Sequence, residues 1–97
     1  MSTDQLNDEL RLAGKAREVL DNDAYKAAFN QIENALLGAM RSSAVVDDKL
    51  RLRLLDKYEN LQSLKDCLQG MVDTGAMAEE QLRQKSLSQR IKDFLVN

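Results

Sequence analysis

The chain contains no histidine, no proline and no tryptophan, a single cysteine, and only two tyrosines and two phenylalanines among its 97 residues. Without histidine it lacks the commonest general base near neutral pH and the commonest transition-metal ligand. Catalysis would fall to carboxylates, lysine, tyrosine or Cys67. The Glu-x-x-His pairs of a carboxylate metal site in a helical bundle are missing. One cysteine excludes an intramolecular disulfide. The scarcity of aromatic residues tells against a sandwich or barrel, whose strands draw on aromatic and β-branched side chains. No apolar run approaches the ~20 residues that cross a bilayer. The four glycines, Gly14, Gly38, Gly70 and Gly75, are scattered and form no phosphate-binding loop. No catalytic, cofactor-binding or metal-ligating residue is assigned, and the chain is read as a non-enzyme.

Charge is plentiful but balanced, with 14 basic against 16 acidic residues and a net of −2, so the usual footprint of a dedicated nucleic-acid binder is absent. The start, MSTDQLNDEL, is polar and acidic where a secretory signal is basic and then apolar. The expected location is the cytoplasm.

What is present is helical periodicity. Hydrophobic residues make up 43% of the chain. The organising stretch is Asp47 to Thr74, DDKLRLRLLDKYENLQSLKDCLQGMVDT. Leu50, Leu54, Leu61, Leu64, Leu68 and Met71 recur there at three, four and seven, with Lys57 as the interruption. Tyr58, Leu55 and Val72 widen the stripe beyond what a two-stranded coiled-coil seam needs. The fold class is all-α: an elongated helical hairpin or three-to-four-helix bundle built around one long helix, as a single domain over 1–97.

Four helices are expected, at about 4–20, 24–41, 47–74 and 77–95. Ser2 or Thr3 caps the first, and Leu6, Leu10, Ala13, Ala16 or Arg17, and Leu20 form its stripe. Gly14, beside Ala13 and Ala16, reads either as part of a small-residue patch where another helix can approach closely or as a tolerated surface glycine. Asp21-Asn22-Asp23 supplies a break or at least a kink, because short polar side chains bond free backbone N–H groups. The second helix carries Tyr25, Ala28, Phe29, Ile32, Ala35, Leu36 and Met40 on one face, with Leu37 outside it. Ser42 to Val46 interrupts the period, and Asp47-Asp48 places a cap and negative charge at the next N-terminus. Gly75 reads as the C′ residue that ends the third helix. The fourth carries Leu82, Leu87, Ile91, Phe94 and Leu95, and is basic by three charges from Gln81 onward. Cys67, at the edge of the long stripe with no cation or helix N-terminus biasing it, is expected to be buried or half-buried and inert.

The portion from Ile32 to Leu82 resembles small helical proteins encoded by tailed phages and prophages. The elements that carry the likeness are IENALLGAMRSS, then DDKLRLRLLDKYENLQSLKDCLQGMV, then the closing phrase DTGAMAEEQL. The resemblance covers about half the chain and implies a non-enzymatic virion, assembly or host-interaction protein.

Two functions follow as expectations. In the first, the chain is a protein–protein interaction or assembly protein whose partner is itself, as a homo-oligomer, or a larger protein. The candidate contact residues are Tyr25, Phe29, Leu37, Lys49, Arg53, Lys57, Leu87, Ile91 and Phe94. In the second, it is a small nucleic-acid-linked or regulatory protein, terminase-small-subunit-like or an inhibitor of a host enzyme, using the row Lys49, Arg53 and Lys57 or the basic C-terminal segment. Nucleic acid is the less favoured partner, and a membrane is not expected.

Overall fold

The computed structural model describes residues 2–43 and 47–96 and is all-α. Three helices follow one another: α1 (Thr3–Asp21), α2 (Asp23–Ser43) and α3 (Asp48–Val96). The local caps explain where each begins. At α1, the Ser2 hydroxyl accepts from the Gln5 N–H at 3.2 Å while the Gln5 side chain accepts from the Ser2 N–H at 3.1 Å, a reciprocal capping box. Asn22 alone separates α1 from α2. Its extended backbone breaks the helix, its N–H closes on Val19 O, and its Oδ1 accepts from the Tyr25 N–H at 2.9 Å. Asp47 Oδ1 does the same for α3, accepting from the Leu50 N–H at 3.1 Å.

The resulting shape is a hairpin with one arm in two pieces. α2 packs on the first half of α3, with Gln62 of α3 donating to Glu33 of α2 at 2.6 Å and Lys65 standing over the Phe29 ring. α1 packs further along α3, where Ala13 meets Gly75. α1 and α2 contact each other little and both contact α3. At ~1.5 Å per residue, the 49 residues of α3 give a rod of about 73 Å, in keeping with the longest dimension of 77 Å.

Two expectations about boundaries are corrected. The two serines of the expected loop belong to α2, where Ser42 and Ser43 donate their hydroxyls back to Gly38 O and Met40 O. Ala44, Val45 and Val46 lie outside the described residues. The break at Gly75 is absent. The helix runs through Gly70, Thr74 and Gly75 to Val96, so the expected third and fourth helices are one, and no described glycine adopts a positive φ. The reason is packing. A Cβ on Gly75 would fall on the Cβ of Ala13 and within 3.5 Å of the Glu9 carbonyl oxygen. Glycine is here to let α1 approach, and contact with α1 outweighs its weak helix propensity of ~1 kcal/mol. Ala13 and Ala16 of α1 are buried, but the glycine that admits the close approach is Gly75 on α3 and not Gly14. A Cβ on Gly14 meets nothing.

The core is correspondingly thin. The buried hydrophobic residues among those described are Leu6, Ala13, Ala16, Phe29 and Ala78. Leu54, Tyr58, Leu61, Leu68, Val72 and Leu82 along α3 are half-buried.

Candidate interaction surface

A hairpin of two arms has two flanks, and here they differ in chemistry. The groove between α2 and α3 on one flank is the more polar of the two, lined by Lys26, Asn30, Lys65 and Gln69 around Leu20, Tyr25 and Phe29. The Gln62–Glu33 hydrogen bond lies on the same side. Tyr25 and Phe29, two of the expected contact residues, are used here within the chain. Their rings sit 6.0 Å apart at 40°, Phe29 is buried, and Tyr25 is half-buried with a hydroxyl that finds no hydrogen-bond partner among the described residues. Leu37 is half-buried as well.

The other flank is apolar. On α2, Ala24, Ala28, Ile32, Ala35 and Ala39 recur at four, four, three and four, and all five are exposed. At about 100° per residue they fall within about 40° of one line and roughly a quarter turn from the Phe29 line. α1 continues this flank with Gln5, Leu12 and Val19 at seven-residue spacing, and α3 matches it with Leu50, Lys57, Leu64 and Met71 at the same spacing. Ile32 is 49% exposed and Leu64 53%. Glu9, Leu12, Cys67, Gly70, Met71 and Thr74 line one groove on this side. Cys67 is therefore exposed, against the expectation of burial. The thiol sits on the outer edge of the stripe, one step past the residues that α1 covers.

In the sequence pattern, Ala28, Ile32 and Ala35 fall with Tyr25, Phe29, Leu36 and Met40 on one broad face. The structure divides that face, turning the aromatic part toward α3 and leaving the alanine part outside.

The basic row behaves as its spacing implies. Lys49, Arg53 and Lys57 are all exposed, and none has an ion pair within 4 Å among the described residues. The acidic first helix does not neutralise it, because α1 lies against the far part of α3. Beside this row, Met40, Arg41, Asp48, Arg51, Leu52 and Leu55 surround an open groove at the hairpin tip.

At the opposite end α3 outruns its partner. Every residue from Arg83 to Val96 is exposed, including Leu87, Ile91 and Phe94 at 42%, 58% and 82%. Leu87, Ile91, Phe94 and Leu95 form a stripe at four, three and one, turned by roughly 170° from the direction of Gly75, Ala78 and Leu82. A longer α1 in its present track would leave that stripe uncovered. Within this end, Arg83 forms a two-pronged contact with Glu80, at 2.7 and 3.0 Å. That hydrogen bond, with the attraction of the guanidinium, holds the Glu80 carboxyl below its ordinary range and raises Arg83.

Among the described residues no three His, Cys, Asp or Glu side chains gather into a cluster that would hold a metal ion, and no helix is long and apolar enough to cross a membrane. Compared with protein-family models, curated proteins and solved structures, the chain matches none.

Proposed function

We propose that this chain is a non-enzymatic interaction or assembly protein that acts through its helix faces, associating with itself, with a larger protein, or both. The observation that carries the reading is the mismatch between what the fold buries and what it leaves open. Among the described residues, five hydrophobic side chains are buried while fourteen large ones are exposed. Scattered exposed leucines are ordinary. Exposed residues aligned in stripes along two flanks and an end are the usual mark of surfaces made for a partner. A role in phage or prophage assembly or host interaction, in the virion or the host cytoplasm, fits a small helical rod of this kind and is part of the same proposal.

The test is sedimentation equilibrium across a wide range of protein concentration, together with capture from the native host. A dimer or higher species, or a stoichiometric complex with one host or virion protein, is the expected result. A clean monomer with no stoichiometric partner would refute it.

A second reading rests on the row of Lys49, Arg53 and Lys57, exposed and without ion pairs among the described residues. It makes the chain a nucleic-acid-linked or regulatory protein. A DNA mobility shift at low salt that fades as salt is raised supports the nucleic-acid version, since phosphate contacts release counterions. No shift at low salt removes it.

A further inference from the structure

We infer that the apolar flank is the seat of a second copy of this chain, laid antiparallel on the first so that the two hairpins form a four-helix bundle with Cys67 beside the two-fold axis. This deepens the assembly reading above and rests on it. Three observations lead to the second copy as occupant.

The first is the chemistry of the flank. Its central rows, Leu12 and Val19 on α1, Ala28, Ile32 and Ala35 on α2, Leu64 and Met71 on α3, carry no charge. A charge-free surface of mixed small and large residues suits its own copy, because an isologous contact sets a patch against itself. The alanines let the partner backbone approach, and the larger residues fill the spaces between.

The second is size. From Leu50 to the level of Gln5 the flank runs about 50 Å and is two helices wide, of the order of 800 Å² or more per copy. That is the area of a standard stable interface, far beyond a casual contact.

The third is charge, which decides the direction. Counting equal rise along the antiparallel arms from the Gly75–Ala13 contact, Asp8 and Glu9 stand roughly a dozen residues to one side of Cys67. Arg53 and Lys57 stand roughly a dozen to the other side. Glu9 lines the same groove as Cys67, and Lys57 continues the row of Leu64 and Met71. A two-fold axis near Cys67 that reverses the helices brings the basic end of each copy to the acidic end of the other. A parallel dimer would set like charge on like, which is unfavourable. The reversed arrangement also lays the middle of one α3 along the middle of the other, with the two Cys67 side chains facing each other.

The test uses the full chain and four measurements. Sedimentation is expected to show a dimer for the natural sequence. The double variant Ile32→Glu with Leu64→Glu, at positions open to solvent in the single hairpin, is expected to be monomeric with unchanged helical circular dichroism. Arg53→Glu with Lys57→Glu is expected to raise the dimer dissociation constant by about tenfold, and adding Asp8→Lys with Glu9→Lys is expected to restore it. A short bis-maleimide should join two natural chains through their one cysteine. A dimer that ignores Ile32→Glu and Leu64→Glu, or that cannot be joined through Cys67, overturns this face and leaves the wider assembly reading standing. A monomer at all concentrations overturns this face outright, and the assembly reading then stands or falls on the capture experiment. Loss of helix in the double variant transfers the decision to the charge swap, where failure of the second pair to restore the dimer counts against the arrangement.

Discussion

The two ends of α3 are made of similar residues and live in different circumstances. From Leu54 to Leu82 the helix has α2 and then α1 along one side, and the apolar residues on that side, Leu54, Tyr58, Leu61, Leu68, Val72, Ala78 and Leu82, are half-buried or buried. From Arg83 to Val96 every residue is exposed. Both ends are continuous helix. A helix in water needs roughly 12–15 residues to sustain itself alone, and here the terminal segment propagates from a length already nucleated by packing. The difference teaches that helix continuity and helix burial are separate matters in this molecule. The first is inherited along the chain, and the second depends on what lies alongside.

Substitutions that fall on one side or the other of that divide should separate it. The largest effect is expected at Leu6, fully buried where α1 meets α3. Leu6→Ala is expected to cost about 3 kcal/mol by loss of transfer energy and a residual cavity, read as a lower midpoint in chemical denaturation. Because the hairpin has so little core, that is a large share of its stability.

Next comes a pair of glycines in the same helix. Gly75→Ala puts a methyl where Ala13 already stands, and α1 must move outward, at a cost of about 1–3 kcal/mol for overpacking. Gly70→Ala meets nothing within 4 Å and should stabilise by about 0.5–1 kcal/mol through helix propensity alone. Opposite signs at two positions five residues apart would confirm that contact with α1 sets the role of glycine. Equal signs would break the comparison.

Smaller still is the outer end. Ile91→Ser with Phe94→Ser, both open to solvent, is expected to change unfolding of the isolated chain by less than about 0.5 kcal/mol. A marked loss would mean that this end has a partner within the assembly. The smallest effect is the Glu80–Arg83 pair. The pair depresses the Glu80 pKa in the folded chain, so its contribution is present above the ordinary carboxylate range and lost as pH falls through the folded value. Both groups are exposed and screened. Arg83→Gln should remove the difference between Glu80 and a free glutamate in a carboxyl titration followed by NMR, with no measurable change in the denaturation midpoint.

Much of the architecture was legible from the residues, for reasons that are local. Ser2 with Gln5, Asn22 and Asp47 announced three helix starts because a cap is satisfied by backbone three residues away. The all-α class and the elongated form followed from the long leucine period. The open stripe at Leu87, Ile91 and Phe94 and the exposed row at Lys49, Arg53 and Lys57 were visible as patterns, although nothing in a pattern states whether a neighbour covers it. Gly75 shows the limit. On its own, a glycine after Thr74 reads as a stop, and only the methyl of Ala13, 62 positions earlier, makes it an opening for a second helix.

The sequence by itself therefore determined that there would be helices, where α1, α2 and α3 would start, and that they would be too apolar for one thin hairpin. Only the tertiary structure decided that the last two helices are one, that Phe29 turns inward while Ile32 turns outward, and that Cys67 is open. The physical reason is range. Caps and periods are set by atoms a few residues apart, whereas the choice between two apolar faces on one helix is a competition that the partner's position settles.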